Sequence, residues 1–206
     1  MHSWRPSCRV DACGRFVRSH FSHWCERHRQ SLRRHGHAEQ KRVPKGELVP
    51  YVREVRRVLR GRETTRLVNY LNNLRACLLD HAVDASGSRN RWTRLAANEI
   101  GRALEQTDIL DCTVTLAAVW LLAERQPRRF VNRRSFEFVL VRHFRAHAET
   151  AWGSYWDDRQ SRPKKVYRDL RPIVIEHMAA VLVESFSPLV SRILRTVNET
   201  HQSDEW

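Results

Sequence analysis

Residues 8–36 of this 206-residue chain read CRVDACGRFVRSHFSHWCERHRQSLRRHG. The spacing C-x4-C-x11-C-x2-H within it is formed by Cys8, Cys13, Cys25 and His28. Two thiolates from one tight turn, with a thiolate and an imidazole from a second, are the donors of a closed tetrahedral zinc site. So short a segment has too little apolar surface for a core. We therefore expect one structural Zn²⁺, which contributes roughly 10–16 kcal/mol of folding free energy in comparable fingers.

Local sequence signals support this donor set. Gly14 directly follows Cys13 and suits a turn that requires a positive φ. Cys25 and His28 are three residues apart, so they share one face of a helix that we expect at about residues 24–35. This spacing favours His28 as the fourth donor. The histidines that compete with it for that position are His20, His23, His35 and His37.

The same stretch resembles the small cysteine-rich N-termini of phage and mobile-element proteins, often HNH-type endonucleases. Members of that family pair a two-cysteine knuckle ending in Cys-Gly with a helix that reads C-x2-H and then Arg-Arg-His-Gly. The matching residues here are Cys13-Gly14, Cys25, His28 and Arg33-Arg34-His35-Gly36. Position 37 is His, where the family usually has an acidic residue. The resemblance covers about one sixth of the chain and implies a zinc-held, treble-clef-like, DNA-binding finger.

Positive charge is concentrated in the first third of the chain. The formal net charge is +14 and the sequence pI is about 10.7, which indicates a polyanionic partner. Residues 1–66 contain 17 Lys and Arg against 6 Asp and Glu, whereas residues 67–206 contain 20 against 17. We expect nucleic acid, with DNA favoured over RNA, to contact the finger and the segment after it. The candidate residues are Arg9, Arg15, Arg18, Arg27, Arg29, Arg33, Arg34, Lys41, Arg42 and Lys45.

The remainder of the chain predicts a mostly α protein. Gly and Pro number only 7 each, and long segments have the 3.6-residue periodicity of amphipathic helices. We predict a zinc finger at 1–36, a basic linker at 37–47, a helical bundle at 48–198 and a frayed tail at 199–206. The predicted bundle helices span about 48–60, 63–82, 92–106, 108–124, 133–148, 172–186 and 188–198.

Two segments of the bundle have distinctive patterns. Residues 108–124 are apolar on most faces, which is typical of a helix in the middle of a bundle. Two short runs with aromatic and basic residues flank a polar turn near 153–168, and this arrangement is compatible with a β-hairpin. Ser187-Pro188 is expected to separate the last two helices.

A second basic cluster lies around the predicted helix 133–148. Helix, turn, helix and hairpin in this order would resemble a winged helix-turn-helix, with that helix in the major groove. The turn of about eight residues is long for that motif, so a packed helix with surface arginines is the favoured alternative. The secondary candidates for nucleic-acid contact are Arg128, Arg129, Arg133, Arg134, Lys164 and Lys165.

No catalytic constellation is apparent in the sequence, and we expect no enzyme. An HNH core needs a His base, a central Asn and a further His or Asn on a following helix. Asp80-His81 is the one plausible opening, but no further His follows before His143. A recombinase-like set of Tyr167, His143, Arg145 and Arg168 has loose spacing. Phosphate-binding glycine loops and glycine-flanked nucleophilic serines are also missing.

These patterns predict a DNA-binding accessory or regulatory protein, and the resemblance implies a phage or mobile element as its source. The alternative is a helical adaptor or assembly protein, whose bundle binds another protein or a second copy while the finger is purely structural. Neither a signal peptide nor a run of about 18 apolar residues is visible. We therefore expect a cytoplasmic protein without a membrane partner, nucleoid-associated if bacterial.

Overall fold

The computed structural model describes residues 6–19, 21–60, 65–148, 151–158, 161–167 and 169–203. The fold is mostly α-helical, as the sequence predicts. Its helices are α1 (Glu26–His35), α2 (Lys45–Arg60), α3 (Thr65–Ser86), α4 (Arg91–Gln106), α5 (Ile109–Arg125), α6 (Arg133–Arg145) and α7 (Pro172–Ser203), with a 3-10 turn at Pro127–Arg129. An antiparallel hairpin of β1 (Ala151–Asp157) and β2 (Arg162–Tyr167) pairs Tyr155 with Lys164, so the predicted hairpin is present.

Helix α5 is the centre of the bundle, as its uniformly apolar sequence predicts. Asp108 caps it by accepting a hydrogen bond from the backbone N–H of Leu110 at 2.7 Å. The helix contacts α2, α3, α6 and α7. Leu116, Val119 and Leu121 are completely buried on different faces of it. Burial on all sides explains why no polar stripe interrupts the sequence.

Helix α7 is continuous through Pro188, so the prediction of two helices separated at Ser187-Pro188 was wrong. A proline inside a helix removes one backbone hydrogen bond and typically costs about 3 kcal/mol. Here Phe186 and Val190 are buried on either side of the proline, and α7 packs against α2, α4, α5 and α6. This packing offsets the local penalty. The predicted frayed tail at 199–206 is helical as far as Ser203, and residues 204–206 lie outside the described part.

Helix α7 is also long and apolar enough over Pro172–Thr200 to cross a membrane, by length and composition alone. The sharply bent pair of α4 and α5 would pass the same test only if the two helices formed one span. The core helix of a bundle has this composition too. Its contacts with four other helices are those of a core helix.

Residues 37–44, which we call the strap, are packed against the bundle, although the sequence predicted a basic linker at 37–47. Ala38, Gln40 and Val43 are 2%, 3% and 3% exposed. The Gln40 amide donates to the carbonyl oxygen of Arg129 at 3.2 Å and accepts from the backbone N–H of Val131 at 3.1 Å. Helix α2 then begins at Lys45 rather than at 48. The strap thus fixes the finger to the bundle.

Helix α3 lies at the edge of the bundle and is only partly buried. It runs mainly along α4 and buries only Leu71, Leu78 and Ala82. Tyr70 is 40% exposed and His81 is exposed. Because α3 packs mainly against one neighbouring helix, only a narrow stripe of its apolar residues is buried.

Candidate metal centre

The first two cysteines lie in a short knuckle that the backbone holds together. The backbone N–H of Cys8 donates to the carbonyl oxygen of Arg15 at 2.8 Å, and that of Cys13 donates to Val10 at 3.2 Å. Gly14 has a φ of 60°, the positive value that the sequence predicts after Cys13. The turn therefore brings both sulfur atoms to the same side.

The other two donors come from the start of α1. Cys25 is the residue that precedes the helix, and its carbonyl oxygen accepts from the backbone N–H of Arg29 at 2.9 Å. His28 follows within the first turn. The helix ends at Gly36, which has a φ of 79° and donates its backbone N–H to Leu32 at 3.0 Å. The helix predicted at about 24–35 and its glycine stop are confirmed.

Four donor atoms converge at this centre, all within 4.8 Å of one another. Nδ1 of His28 lies 3.3 Å from Sγ of Cys8 and 3.5 Å from Sγ of Cys25, and the Sγ atoms of Cys13 and Cys25 are 3.8 Å apart. A tetrahedral ion with zinc bond lengths would separate sulfur pairs by about 3.8 Å and sulfur–nitrogen pairs by about 3.5 Å. The donor set therefore fits one metal ion, with His28 binding through Nδ1.

Electrostatics within the cluster also favour a cation. Burial raises the pKa of the Cys8 thiol, but hydrogen bonds from the backbone of Cys25 and from His28 outweigh it and lower the pKa to about 6. For Cys13 the backbone of Arg15 lowers the pKa, yet burial and the sulfur atoms of Cys25 and Cys8 raise it overall. Closely spaced thiolates repel one another, and a bound cation removes that repulsion.

The competing histidines lie outside the donor cluster. His23 is exposed, and Nδ1 of His37 accepts a hydrogen bond from the backbone of Glu39 at 3.3 Å. Nδ1 of His35 lies 3.4 Å from Nη1 of Arg142. His20 lies outside the described residues. Of the described histidines, only His28 completes the cluster, as its spacing from Cys25 favours.

The finger has almost no hydrophobic core of its own. Among its described residues, Cys8, Val17 and Cys25 form a separate buried cluster, with Val10, Cys13 and Trp24 packed against it. Two of the three buried members are cysteines of the candidate metal centre. Units of this size usually rely on a disulfide, a metal or oligomerisation for stability, and this cluster is positioned to hold a metal.

The ten predicted phosphate-contacting residues are all exposed. Arg29 forms an ion pair with Glu26 at 2.6 Å. Arg33 and Arg34 lie 3.6 and 3.1 Å from the same carboxylate oxygen of Asp169. The other seven candidates form no ion pair within the described part of the chain. They are Arg9, Arg15, Arg18, Arg27, Lys41, Arg42 and Lys45.

Two aromatic side chains on the finger were not singled out from the sequence. Phe16 is 66% exposed and Phe21 is 96% exposed, and both lie near Arg15 and Arg18 in the sequence. A finger whose core holds only a few residues cannot bury every aromatic ring. The small core was therefore the signal that could have identified them.

The second basic cluster has a structural role at two of its positions. Arg129 donates to the Glu47 carboxylate at 2.9 Å and to the carbonyl oxygen of Arg42 at 2.7 Å, which holds the strap. Arg134 donates to Glu176 at 2.8 Å. Arg133 forms an ion pair with Glu137 at 2.9 Å, and Arg128 is exposed. Lys164 and Lys165 lie in β2, and their side chains are outside the part of the chain that the structure describes.

Helix α6 is a packed helix. Seven of its residues are buried, Phe138, Leu140 and Phe144 among them, and it contacts α1, α4, α5 and α7. This burial agrees with the alternative in which the helix packs in the bundle, and not with a recognition helix of a winged helix-turn-helix.

Of the residues considered for catalysis, His143 makes a contact with the strap. His143 is buried, and its Nε2 donates to the carbonyl oxygen of Val43 at 3.2 Å. Burial lowers the pKa of His143 to about 4, and the charges of Arg142 and Lys45 act in the same direction, although the hydrogen bond to Val43 opposes the shift. Its interaction with Val43 helps to hold the strap. Asp80 and His81 are exposed on α3, and Arg168 lies outside the described residues.

Comparison with known proteins gives no match to a family model, to a curated protein or to a solved structure. The likeness of residues 8–36 to mobile-element fingers therefore stays a prediction. The structure itself shows a Cys3His cluster positioned to hold one metal ion, at the end of a helical bundle.

Proposed function

We propose that the protein binds nucleic acid, with DNA favoured over RNA, through a finger that folds around one structural Zn²⁺. The observation that carries the proposal is that exposed cations and exposed aromatic rings occur on the same small unit. Arg9, Arg15 and Arg18 are exposed without ion pairs among the described residues, and Phe16 and Phe21 are exposed beside them in the sequence. Guanidinium groups contact phosphates, and aromatic rings stack on bases.

Zinc is the metal that this donor set fits best. Three thiolates and one imidazole in a tetrahedral arrangement are typical of structural zinc sites. Four protein donors leave no open coordination position, so the ion would stabilise the fold and would not activate water. The metal would then stabilise the conformation of the finger that displays the basic side chains.

The charge distribution argues against general solubility as the reason for the basic residues. The formal charge of residues 67–206 is nearly balanced, whereas the finger and the strap have a large excess of arginine and lysine. Unpaired like charges on one small unit repel one another. Nucleic-acid phosphates would relieve that repulsion, so binding offers an explanation for keeping the residues together.

The biological setting follows from the resemblance alone. An accessory or regulatory protein of a phage or other mobile element would use the finger for DNA binding and the bundle to position it. Its metal-binding thiolates would be maintained in a reducing, cytoplasmic compartment.

The proposal is tested by removing finger charge and measuring DNA affinity over a range of salt concentrations. Each phosphate contact contributes a slope of about −0.9 to the plot of log affinity against log salt. We expect a triple variant with Arg9→Ala, Arg15→Ala and Arg18→Ala to bind duplex DNA more weakly and with a shallower slope. The matched control removes the same charge from exposed bundle positions, with Arg89→Ala, Arg102→Ala and Arg195→Ala. Equal losses in both triple variants would contradict a finger-centred interface.

The second candidate function is that of a helical adaptor, and an apolar groove on the bundle favours it. The groove has a volume of about 470 Å³ and lies between α2, α3 and α7, where Val58, Leu67, Tyr70, Leu189 and Ile193 line it. Such a groove suits a protein partner or a second copy of the chain. If the zinc-loaded protein binds neither duplex nor single strands at low salt, this adaptor function replaces nucleic-acid binding.

A further inference from the structure

A strongly basic cleft lies where the finger meets the bundle. We call it the junction cleft, and its volume is about 480 Å³, within the range of about 300–1,000 Å³ that is typical of small-molecule sites. Three parts of the chain contribute cations to it: the last turn of α1, the strap with the start of α2, and the end of α6. These cations are Arg33, Arg34, Arg42, Lys45, Arg142 and Arg145.

The acidic groups near the junction cleft do not balance these cations. Asp169 is the one carboxylate among the described residues that line it, and Arg33 and Arg34 share it. Arg145 is paired with Glu99 at 2.8 Å. Arg42 and Lys45 form no ion pair with any residue that the structure describes, so positive charge remains available to a ligand.

His35 lies beside these cations and is itself uncharged. Its Nδ1 accepts a hydrogen bond from Nη1 of Arg142 at 3.4 Å, which requires an unprotonated Nδ1. Burial lowers the pKa of His35 to about 4, and the charges of Arg142, Arg34 and Arg42 contribute to the same shift. His35 therefore adds no charge of its own at neutral pH.

We propose that the junction cleft binds a terminal phosphate group, either on a free nucleotide or at the end of a nucleic-acid strand. A phosphate monoester has a charge of about −1.5 to −2 at pH 7 and three strong acceptor oxygens. A phosphodiester within a duplex has one negative charge and lies on a convex surface. The concentrated charge of the cleft therefore fits the monoester better. Ala146 is exposed and Leu170 is half-buried at the cleft, and their apolar surface suits the sugar or base attached to the phosphate.

Asp169 is the internal competitor of this ligand. Its carboxylate lies 3.6 Å from Arg33 and 3.1 Å from Arg34, and both arginine side chains are more than half exposed. A phosphate monoester accepts charge-assisted hydrogen bonds from guanidinium groups as a carboxylate does. An entering phosphate thus replaces Asp169 as the partner of Arg33 and Arg34. Arg42 and Lys45 contact the phosphate as well.

The first experiment compares AMP with adenosine as ligands of the zinc-loaded full-length protein by isothermal titration calorimetry. We expect AMP to bind at least about tenfold more tightly, because charge-assisted hydrogen bonds distinguish the two ligands. Octanucleotides with and without a 5′-phosphate form the second comparison. Tighter binding of the phosphorylated strand than of AMP identifies a strand end as the ligand, and comparable binding identifies a nucleotide. Equal affinities within both pairs would overturn the proposal.

Variants then assign AMP binding to the junction cleft. Arg42→Gln and Lys45→Met remove unpaired cations and are expected to weaken AMP binding by about tenfold. Asp169→Asn removes the competitor and is expected to strengthen it, whereas a purely structural role of Asp169 would weaken it. Arg102→Gln, an exposed position on α4 outside the cleft, is the matched control. Metal content and thermal melting show that each variant is folded.

The site goes beyond the proposed function, because AMP binding is measured without any nucleic acid. Failure of AMP to bind would leave DNA binding by the finger intact. Conversely, if the protein binds AMP but binds neither duplex nor single-stranded DNA, the result would support the junction cleft alone. Weaker AMP binding in Asp169→Asn, or an unchanged affinity in both Arg42→Gln and Lys45→Met, would overturn the cleft as the site.

Discussion

A Cβ atom placed on Gly36 would lie 2.9 Å from the carbonyl oxygen of Arg134. The backbone at the end of the finger helix thus touches the backbone at the start of α6 without a side chain between them. The same Cβ would lie 3.1 Å from Cδ2 of Phe138. Gly36 therefore serves two purposes: it ends α1 with a φ of 79°, and it lets the finger dock closely on the bundle.

We expect Gly36→Ala to destabilise the junction of finger and bundle. A left-handed conformation costs a non-glycine residue about 1–2 kcal/mol, and overpacking adds about 1–3 kcal/mol. Denaturant unfolding should show a lower free energy of unfolding by roughly that total, and protease should cut the strap faster. Gly46→Ala is the control, since no atom lies within 4 Å of a Cβ there. That substitution lies in α2 and should be neutral or slightly stabilising. A Gly36→Ala protein as stable as the wild type would show that the close contact does not form.

Removal of one metal donor should unfold the finger and leave the bundle folded. Cys25→Ser is expected to reduce the zinc content from about one ion per chain to none, because three remaining donors no longer close the site. Limited proteolysis should then cleave the finger, while the separate main core keeps its cooperative unfolding transition. Cys77→Ser is the control, because that thiol is exposed on α3. If zinc remained bound to Cys25→Ser, the assigned donor set would be wrong.

Protonation of His143 should contribute to acid unfolding. Its folded-state pKa of about 4 lies below the unfolded value of 6.5, because burial disfavours the charged ring. The unfolded chain therefore binds more protons between these values. Stability is full above pH 6.5 and falls as the pH falls towards 4, by up to about 3 kcal/mol for this residue.

The comparison that isolates this effect is between the wild type and His143→Gln. Glutamine can still donate to the carbonyl oxygen of Val43 but does not titrate. The difference in unfolding free energy between the two proteins should shrink or reverse from pH 7.5 to pH 4.5. His81→Gln, at an exposed position, should retain the wild-type pH dependence. Parallel pH profiles for wild type and His143→Gln would contradict burial of a neutral imidazole.

Phe21 should contribute to binding of single strands but not to stability. Stacking of an aromatic side chain on a base is worth about 1–3 kcal/mol, so Phe21→Ala should weaken single-stranded DNA binding by roughly 5- to 150-fold. The ring is 96% exposed, and its removal leaves the core unchanged. Val83→Ala, which truncates a 70% exposed side chain on α3, should change neither property. Unchanged fluorescence anisotropy titrations for Phe21→Ala would exclude stacking by this ring.

The metal centre could be predicted from the sequence because its determinants are local. The spacing of Cys25 and His28 and the glycine after Cys13 each act within one turn of backbone. The same holds for Asp108, which caps α5, and for the uniformly apolar sequence of that helix. Such local signals can be read from the sequence because they do not depend on tertiary contacts with distant residues.

Other features depend on contacts between distant residues, so local patterns do not show them. Pro188 ends a helix by its own chemistry, and only the packing on both sides of it keeps α7 continuous. The basic composition of the strap conceals Gln40, whose amide is satisfied by residues about 90 positions away. The junction cleft likewise combines Arg42 with Arg142 and Asp169. The one local hint was the spacing of Arg142 and Arg145, which places both on one face of α6.

The central claim is that a metal-folded finger binds nucleic acid. Its most direct test measures the affinity for one fluorescent DNA duplex, as a function of salt, before and after the metal is removed by a chelator. We expect about one zinc per chain, DNA binding that weakens steeply with salt, and a loss of affinity of at least about tenfold in the metal-free protein. DNA binding of unchanged affinity after complete removal of the metal, or no binding at low salt by the zinc-loaded protein, would contradict it.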